Sequence, residues 1–226
     1  MSVALATRCS RTKAYSILSL YMAINLSSEE ILKQRRFRVI KPEIRVLGVD
    51  DGPFVPHAKG QVPVIGAVFR GGYWLDGVMF TKIEIDGFDA TEKIASMITA
   101  SPHYKQLRVV MLNGVTFAGF NIVDLKALNL MIKLPVITVT REKPNFADIH
   151  NALQNLTCSE ERWAAILNAG EPVEVFTRSA KAKIYMQAVG ISKEDAQRIV
   201  RLTSTRSNIP EPLRVAHLIA SCIGPL

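Results

Sequence analysis

Cysteine is scarce in this chain. Cys9, Cys158 and Cys222 stand far apart among 226 residues, and none has a partner at CxxC spacing. That argues against a zinc ribbon or a disulfide framework and suits a reducing, cytoplasmic setting. Apolar runs are short. AYSILSLYMAINL at 14–26 falls below the roughly 20 residues a membrane span requires, so no membrane partner is expected. It has the length of a signal-peptide core, but no small-x-small cleavage site follows it cleanly. It reads as an added N-terminal helix or a translated upstream extension, with Met22 as an alternative start. Several enzyme signatures are also missing. There is no Walker loop, no GxGxxG, no GxSxG and no HExxH, so hydride-transfer and P-loop chemistry lack their usual residues.

What is present is a core-forming composition with uneven charge. Apolar residues make up 48% of the chain, enough for a substantial core. The net charge is +8, and residues 1–45 supply six of those charges through nine Lys/Arg against three Asp/Glu. The run KQRRFRVIKPEIR (33–45) is the densest part, with Arg35, Arg36 and Arg38 at its centre. Such a run either binds phosphates by charge or is a solvated arm.

Periodicity gives an alternating plan. Strands are expected at 45–49, 62–71, 77–85, 106–113 and 135–141, with a hairpin at Gly71-Gly72. Helices are expected from Asp89, a capping-box-like start with Glu92, and over 121–133, 145–156 and 159–169. Short strands at 174–179 and 183–190 precede a helix capped by Ser192 and a last helix after 208–217. Three closely linked strands followed by helix–strand–helix–strand specify a mixed α/β sheet. Sites in such sheets lie beyond the carboxyl ends of the parallel strands. Asp50 and Asn113 both end strands, and they converge if those strands are neighbours.

The polar groups at these ends carry the chemistry. Asp50 and Asp51 are hard oxygen donors suited to Mg²⁺ or Mn²⁺, or else Asp51-Gly52-Pro53 is only a turn. Asp86 leaves a strand before Gly87, and Glu84 shares its face if the strand persists. Gly114 and Gly119 allow close backbone approach to a ligand beside Asn113 and Asn121, or merely let the chain turn. Asp124 fits a helix start. In IPEPLRVAHLIA (209–220), Arg214 and His217 share a helix face, which suits a phosphate site, while an Arg214–Glu211 surface pair is the alternative.

Taken together, VLGVDDGPF, DGFDATE, LNGVTFAGFNIVDL, LPVITVTREKP and IPEPLRVAHLIA resemble an archaeal family called domain of unknown function 99. The likeness runs from about Ile44 to the C-terminus, which implies one α/β domain over residues 44–226 and leaves residues 1–43 as a basic N-terminal extension, helical or in part disordered. That family is similar in turn to endonuclease V, which has a ribonuclease H-like fold and cuts nucleic acid with Mg²⁺ or Mn²⁺ held by carboxylates. The resemblance implies Asp50 as first carboxylate, in Gly48-Val49-Asp50, and Asp86 as second, with Asp51 a further metal candidate. It aligns Pro210–His217 with a P-E-P-x-R-x-A-D/H helix start, so Arg214 would contact phosphate and His217 would act as ligand or acid/base. Gly114, Gly119 and Asn121 would border the substrate. Asn113 stands where the nucleases carry a third carboxylate, and their wedge segment has no counterpart here. Three readings follow: a Mg/Mn-dependent phosphodiesterase acting on DNA or RNA, a non-catalytic nucleic-acid-binding module on the same fold, and a small-molecule or nucleotide enzyme.

Overall fold

The computed structural model describes residues 37–56, 58–178 and 183–223. The helix expected at 14–26 and residues 33–36 of the basic run, Arg35 and Arg36 among them, lie outside the described residues.

Alternation of buried side chains builds a seven-stranded sheet in the order β3-β2-β1-β4-β7-β9-β8. β1 (Arg45–Asp51), β2 (Gln61–Arg70) and β3 (Trp74–Glu84) form an antiparallel meander, closed at Gly71 by a left-handed φ of +57°. β4 (Val109–Asn113) and β7 (Val136–Thr140) run parallel to β1, as short strands after helical crossovers do. β9 (Lys183–Val189) and β8 (Val173–Phe176) complete the sheet antiparallel to β7 and to each other. The central strands are apolar on both sides because helices cover both faces.

Leu47, Val49, Val110 and Leu112 face α1 (Ala90–Thr99) and α2 (Leu125–Ile132). Val46, Met111 and Val139 face α5 (Lys193–Thr203) and the start of α6 (Glu211–Cys222). Ile65, Ala67 and Phe69 pack on Ala216 and Ala220 of α6, whose small side chains let the helix lie close. A satellite cluster joins α3 (Phe146–Leu153) and α4 (Ser159–Leu167) around Leu153 and Ile166. Period-two alternation sends Val46, Gly48 and Asp50 toward α6, and Leu47, Val49 and Asp51 toward the α1–α2 side.

Three expectations are corrected. The helix expected over 121–133 begins only at Leu125, capped by Asp124, whose Oδ1 accepts from the amides of Lys126 and Ala127 at 2.9 and 3.0 Å. Residues 121–122 instead form β6, paired with β5 (Thr116–Phe117) in a small hairpin. Asp89 sits at the N-cap position of α1 but makes no cap bond. Asn121 supplies it, its Oδ1 accepting from the Ala90 amide at 3.0 Å. Finally, β3 ends at Glu84, and Asp86 turns left-handed at φ +51°, so Glu84 and Asp86 do not continue one strand face.

Candidate active site at the carboxyl ends of β1 and β4

β1 and β4 are neighbours, paired in parallel through Val49 and Leu112. The residues that follow these two converge. The Nδ2 of Asn113 donates to Oδ1 of Asp50 at 3.0 Å. The same oxygen accepts from the Asp51 amide at 3.0 Å. Oδ2 of Asp50 meets Nδ1 of His217 at 2.8 Å. Asp50 is buried, with 2% of its surface exposed, while the His217 side chain is 58% exposed. His217 therefore joins a buried carboxylate to solvent.

Gly48 makes this joint possible. A Cβ there would lie 2.2 Å from the carbonyl carbon of Pro212, so only glycine lets the first turn of α6 rest on β1. Pro212 in that first turn has no amide hydrogen to leave unpaired. The resulting path carries His217 over the strand end. Glu211 is buried and grips Arg214 with both oxygens, at 3.0 Å to Nε and 2.7 Å to Nη2. Arg214 is thus held by its partner one helical turn back, as the surface-pair alternative anticipated, but the pair's acid is buried. Asn113, Arg141, Ile209, Leu213, Arg214 and His217 line a small open cleft of about 110 Å³.

Asp51 points to the opposite face of β1. Its Oδ2 accepts from the Ala118 amide at 2.7 Å. Burial pushes its carboxyl up to about 6, with the Asp50 charge acting in the same direction and the Ala118 bond opposing it. Burial also raises Asp50, against the bonds from Asn113 and His217. Two adjacent carboxylates are therefore short of positive charge, and as hard oxygens they suit Mg²⁺ or Mn²⁺ in kind. Among the described residues no three His, Cys, Asp or Glu side chains gather into a ready-made metal cage.

Asp86 belongs to a second cluster around the β5–β6 hairpin. Its Oδ1 accepts from the Phe120 amide at 2.8 Å, and its own amide donates to the Ala118 carbonyl at 2.9 Å. Ala118 thus links Asp51 to Asp86. The space at Gly119 is taken by this carboxylate, since a Cβ there would lie 2.3 Å from Asp86 Oδ1. The expected ligand contact at Gly119 is corrected accordingly. Asn121 is corrected too: it is fully buried, and its Nδ2 donates to the Glu84 carbonyl and to Asp89 Oδ1. Gly114 turns the chain after β4 at φ +81°.

Two residues escaped the sequence reading. Arg162 of α4 is 3% exposed and donates to the carbonyls of Asp86 at 2.6 Å, Gly87 at 3.1 Å, and Phe120. Its ring neighbour is Phe88, 3.9 Å from the guanidinium. This clasp ties the turn after β3 to the hairpin. Its partners are main-chain atoms, which leave no side-chain motif to read. Arg141 follows β7, and its position at a parallel strand end was the available signal.

Comparison with known proteins agrees with this architecture. A UPF0215 protein of Methanothermobacter thermautotrophicus is 48% identical over 191 residues, covering 84% of this chain and 92% of that protein. A UPF0215 protein of Methanosarcina acetivorans is 52% identical over 184 residues, covering 81% and 92%. The crystal structure of a protein of unknown function from Archaeoglobus fulgidus superposes with a TM-score of 0.71 at 36% identity, covering 79% of this chain and 97% of that one. An endonuclease V from Bacillus subtilis shares the fold at a TM-score of 0.57 and 13% identity, covering 87% and 92%. The endonuclease V of Ciona intestinalis, solved in complex with an inosine-containing DNA, does so at 0.51 and 14%, covering 90% and 95%. The family model described as endonuclease dU matches residues 42–224. With its sheet order, its strand-end carboxylates and relatives close to half identical, the chain belongs to the endonuclease dU family, whose fold is that of endonuclease V.

Proposed function

We propose that the protein is a Mg²⁺- or Mn²⁺-dependent phosphodiesterase acting on nucleic acid. The observation that carries this reading is the joint of Asp50, Asn113 and His217, opening on a cleft that holds two arginines. Family membership supports the nuclease class, and the DNA-bound endonuclease V of the same fold supports a nucleic-acid ligand. Asp50 would hold the ion at the cleft, with water and substrate oxygens as the other donors, while Asp51, on the other face of β1 and bound to the Ala118 amide, would act on it through charge alone. When bound, the ion supplies charge stabilisation at the phosphodiester and acidifies an attacking water.

The chain's own residues do the rest. Asn113 keeps the Asp50 carboxylate in one orientation. His217 engages Asp50 through Nδ1, which leaves Nε2 to exchange a proton with a departing oxygen at the cleft. Arg141 makes no ion pair among the described residues and is the cation free to meet a phosphate oxygen there. Arg214 gives its Nε and Nη2 edge to Glu211, so it would meet a phosphate through Nη1 and with its charge already paired.

Calorimetric titration with Mn²⁺ tests the reading, on the unaltered protein and on Asp50→Asn. Micromolar binding that disappears in the variant, followed by Mn²⁺-dependent cleavage of labelled DNA or RNA, is the expected result. Cleavage that persists in Asp50→Asn would sink it. The second reading, a non-catalytic nucleic-acid-binding module, is favoured by Asn113 itself. Its amide spends a donor on Asp50 and brings no charge to the ion. Salt-sensitive binding without any cleavage in Mn²⁺ would select that reading.

A further inference from the structure

Away from the strand-end site, a surface of exposed cations and aromatic rings is unaccounted for. Thr205 Oγ1 donates to the Gly72 carbonyl at 2.7 Å, which pins the loop after α5 against the β2–β3 turn. Gly72 lacks room for a side chain, since a Cβ would lie 2.5 Å from Thr205 Cγ2. From the other side, Arg178 donates to the Thr205 carbonyl. Arg201 Nε donates to the Phe176 carbonyl at 3.0 Å. These contacts bring three separate segments into one surface.

Tyr73 and Trp74 leave 63% and 51% of their surface exposed there, with ring centroids 5.6 Å apart. Phe176 is 43% exposed. Arg178, Arg201 and Arg206 are exposed as well. The acids close by are Asp76, which is taken by Arg70 at 2.9 Å and Arg45 at 3.5 Å, Glu174 two residues before Phe176, which is taken by Lys183 at 3.3 Å, and the exposed Glu43 on the segment leading into β1. Arg70 also lies 5.9 Å from the Trp74 ring. The surface therefore keeps a net positive charge. The β2–β3 turn adjoins Arg45, whose partner is Arg70, whereas Asp50 lies five residues on along the same strand. At about 3.3 Å per residue the two sites are separated by roughly 17 Å of strand.

We infer that this surface is a second nucleic-acid contact, which holds a single strand by phosphate charge and by stacking of bases on Tyr73 and Trp74. Exposed rings interleaved with guanidinium groups suit unpaired bases, because every base offers a face to stack and every nucleotide a phosphate to neutralise. A duplex hides its base faces and would use only the arginines. The inference rests on the reading that nucleic acid is the ligand, and it is independent of cleavage. The contact would hold a strand whose scissile phosphate lies at the Asp50 cleft, a few nucleotides away.

Binding of a fluorescein-labelled 15-mer oligothymidylate, measured by anisotropy in EDTA, tests it. Arg206→Glu and Trp74→Ala are the variants of choice, since neither side chain holds a backbone group. Each is expected to weaken binding about five-fold or more, with melting temperature within a few degrees of the parent. Arg206→Glu should also lower the slope of log K against log salt by about 0.7. Asp50→Asn should bind as the parent does and lose only the cleavage. Unchanged affinity in both surface variants would overturn the inference. So would a loss confined to Asp50→Asn, which would place all binding at the strand ends. Capture by phosphatidylserine vesicles in place of the oligonucleotide would overturn the assigned partner.

Discussion

At the residue scale, Asp51 has a consequence for pH. Its ordinary value is 3.8 and its folded value about 6, raised chiefly by burial. Between those values the folded chain holds a proton that the unfolded chain has lost. Its contribution to stability is complete below pH 3.8, declines as pH rises through about 6, and is flat above. The difference corresponds to about 3 kcal/mol at most. Asp50 is raised as well and adds in the same direction. Urea unfolding of the metal-free protein should therefore show stability falling between pH 4 and pH 6.5, with a shallower fall in Asp51→Asn. The ion proposed at Asp50 would have to displace a proton that burial helps this carboxyl to keep, so Mn²⁺ affinity should climb as pH rises. Calorimetry in buffers of different ionisation enthalpy would register the released protons, and a pH-independent affinity would contradict the placement of the ion. Asp50 was legible in the sequence because a buried apolar strand ended on a charge. Asn121 was misread because its partners, Ala90, Glu84 and Asp89, come from a distant segment.

At the element scale, the approach of α6 to β1 decides the site. Gly48→Ala would drive a methyl group into the backbone of Pro212 and Leu213. Relief requires moving the helix, and overpacking of this kind costs typically about 1–3 kcal/mol. The melting temperature should fall, and because His217 moves with the helix, the pairing with Asp50 should loosen too. Histidine chemical shifts followed against pH would report that loosening. Arg162→Met is expected to be at least as costly. It strands the carbonyls of Asp86, Gly87 and Phe120, each worth about 1–3 kcal/mol when buried without a donor. Amide exchange should then quicken in the β5–β6 hairpin before it does in β1 or β4. The long strands and α1 could be read from the chain because burial on one or both faces imposes a period. The hairpin could not, since two strands of two residues each carry no period at all. Arg162 lies 76, 75 and 42 residues from the carbonyls it binds, beyond the reach of any local pattern.

At the scale of the whole molecule, charge sets how the protein meets a polyanion. The net charge of +8, six of it within residues 1–45, predicts binding that weakens steeply with salt. Removing residues 1–36 should reduce the salt slope for an oligonucleotide while leaving the Mn²⁺ binding proposed at Asp50 unchanged, and a matched pair of titrations on the two forms would show it. The two edges of the sheet differ as well. β8 is four residues long, whereas β3 has eleven and leaves Leu75, Val78 and Phe80 about half exposed. The sequence by itself determined the class of fold, the order of the central elements and the presence of carboxylates at strand ends. Those features follow from hydrophobic periodicity and chain punctuation, which are local. Only the tertiary structure decided which polar groups meet. It joined Asp50 to Asn113 and His217, turned Asp86 and Gly119 toward one another, buried Asn121, and placed Arg141 beside Arg214 at the cleft. The reason is physical: a contact between residues 63 or 167 positions apart depends on strand neighbours, helix paths and close-packed volume, and these exist only in the folded chain.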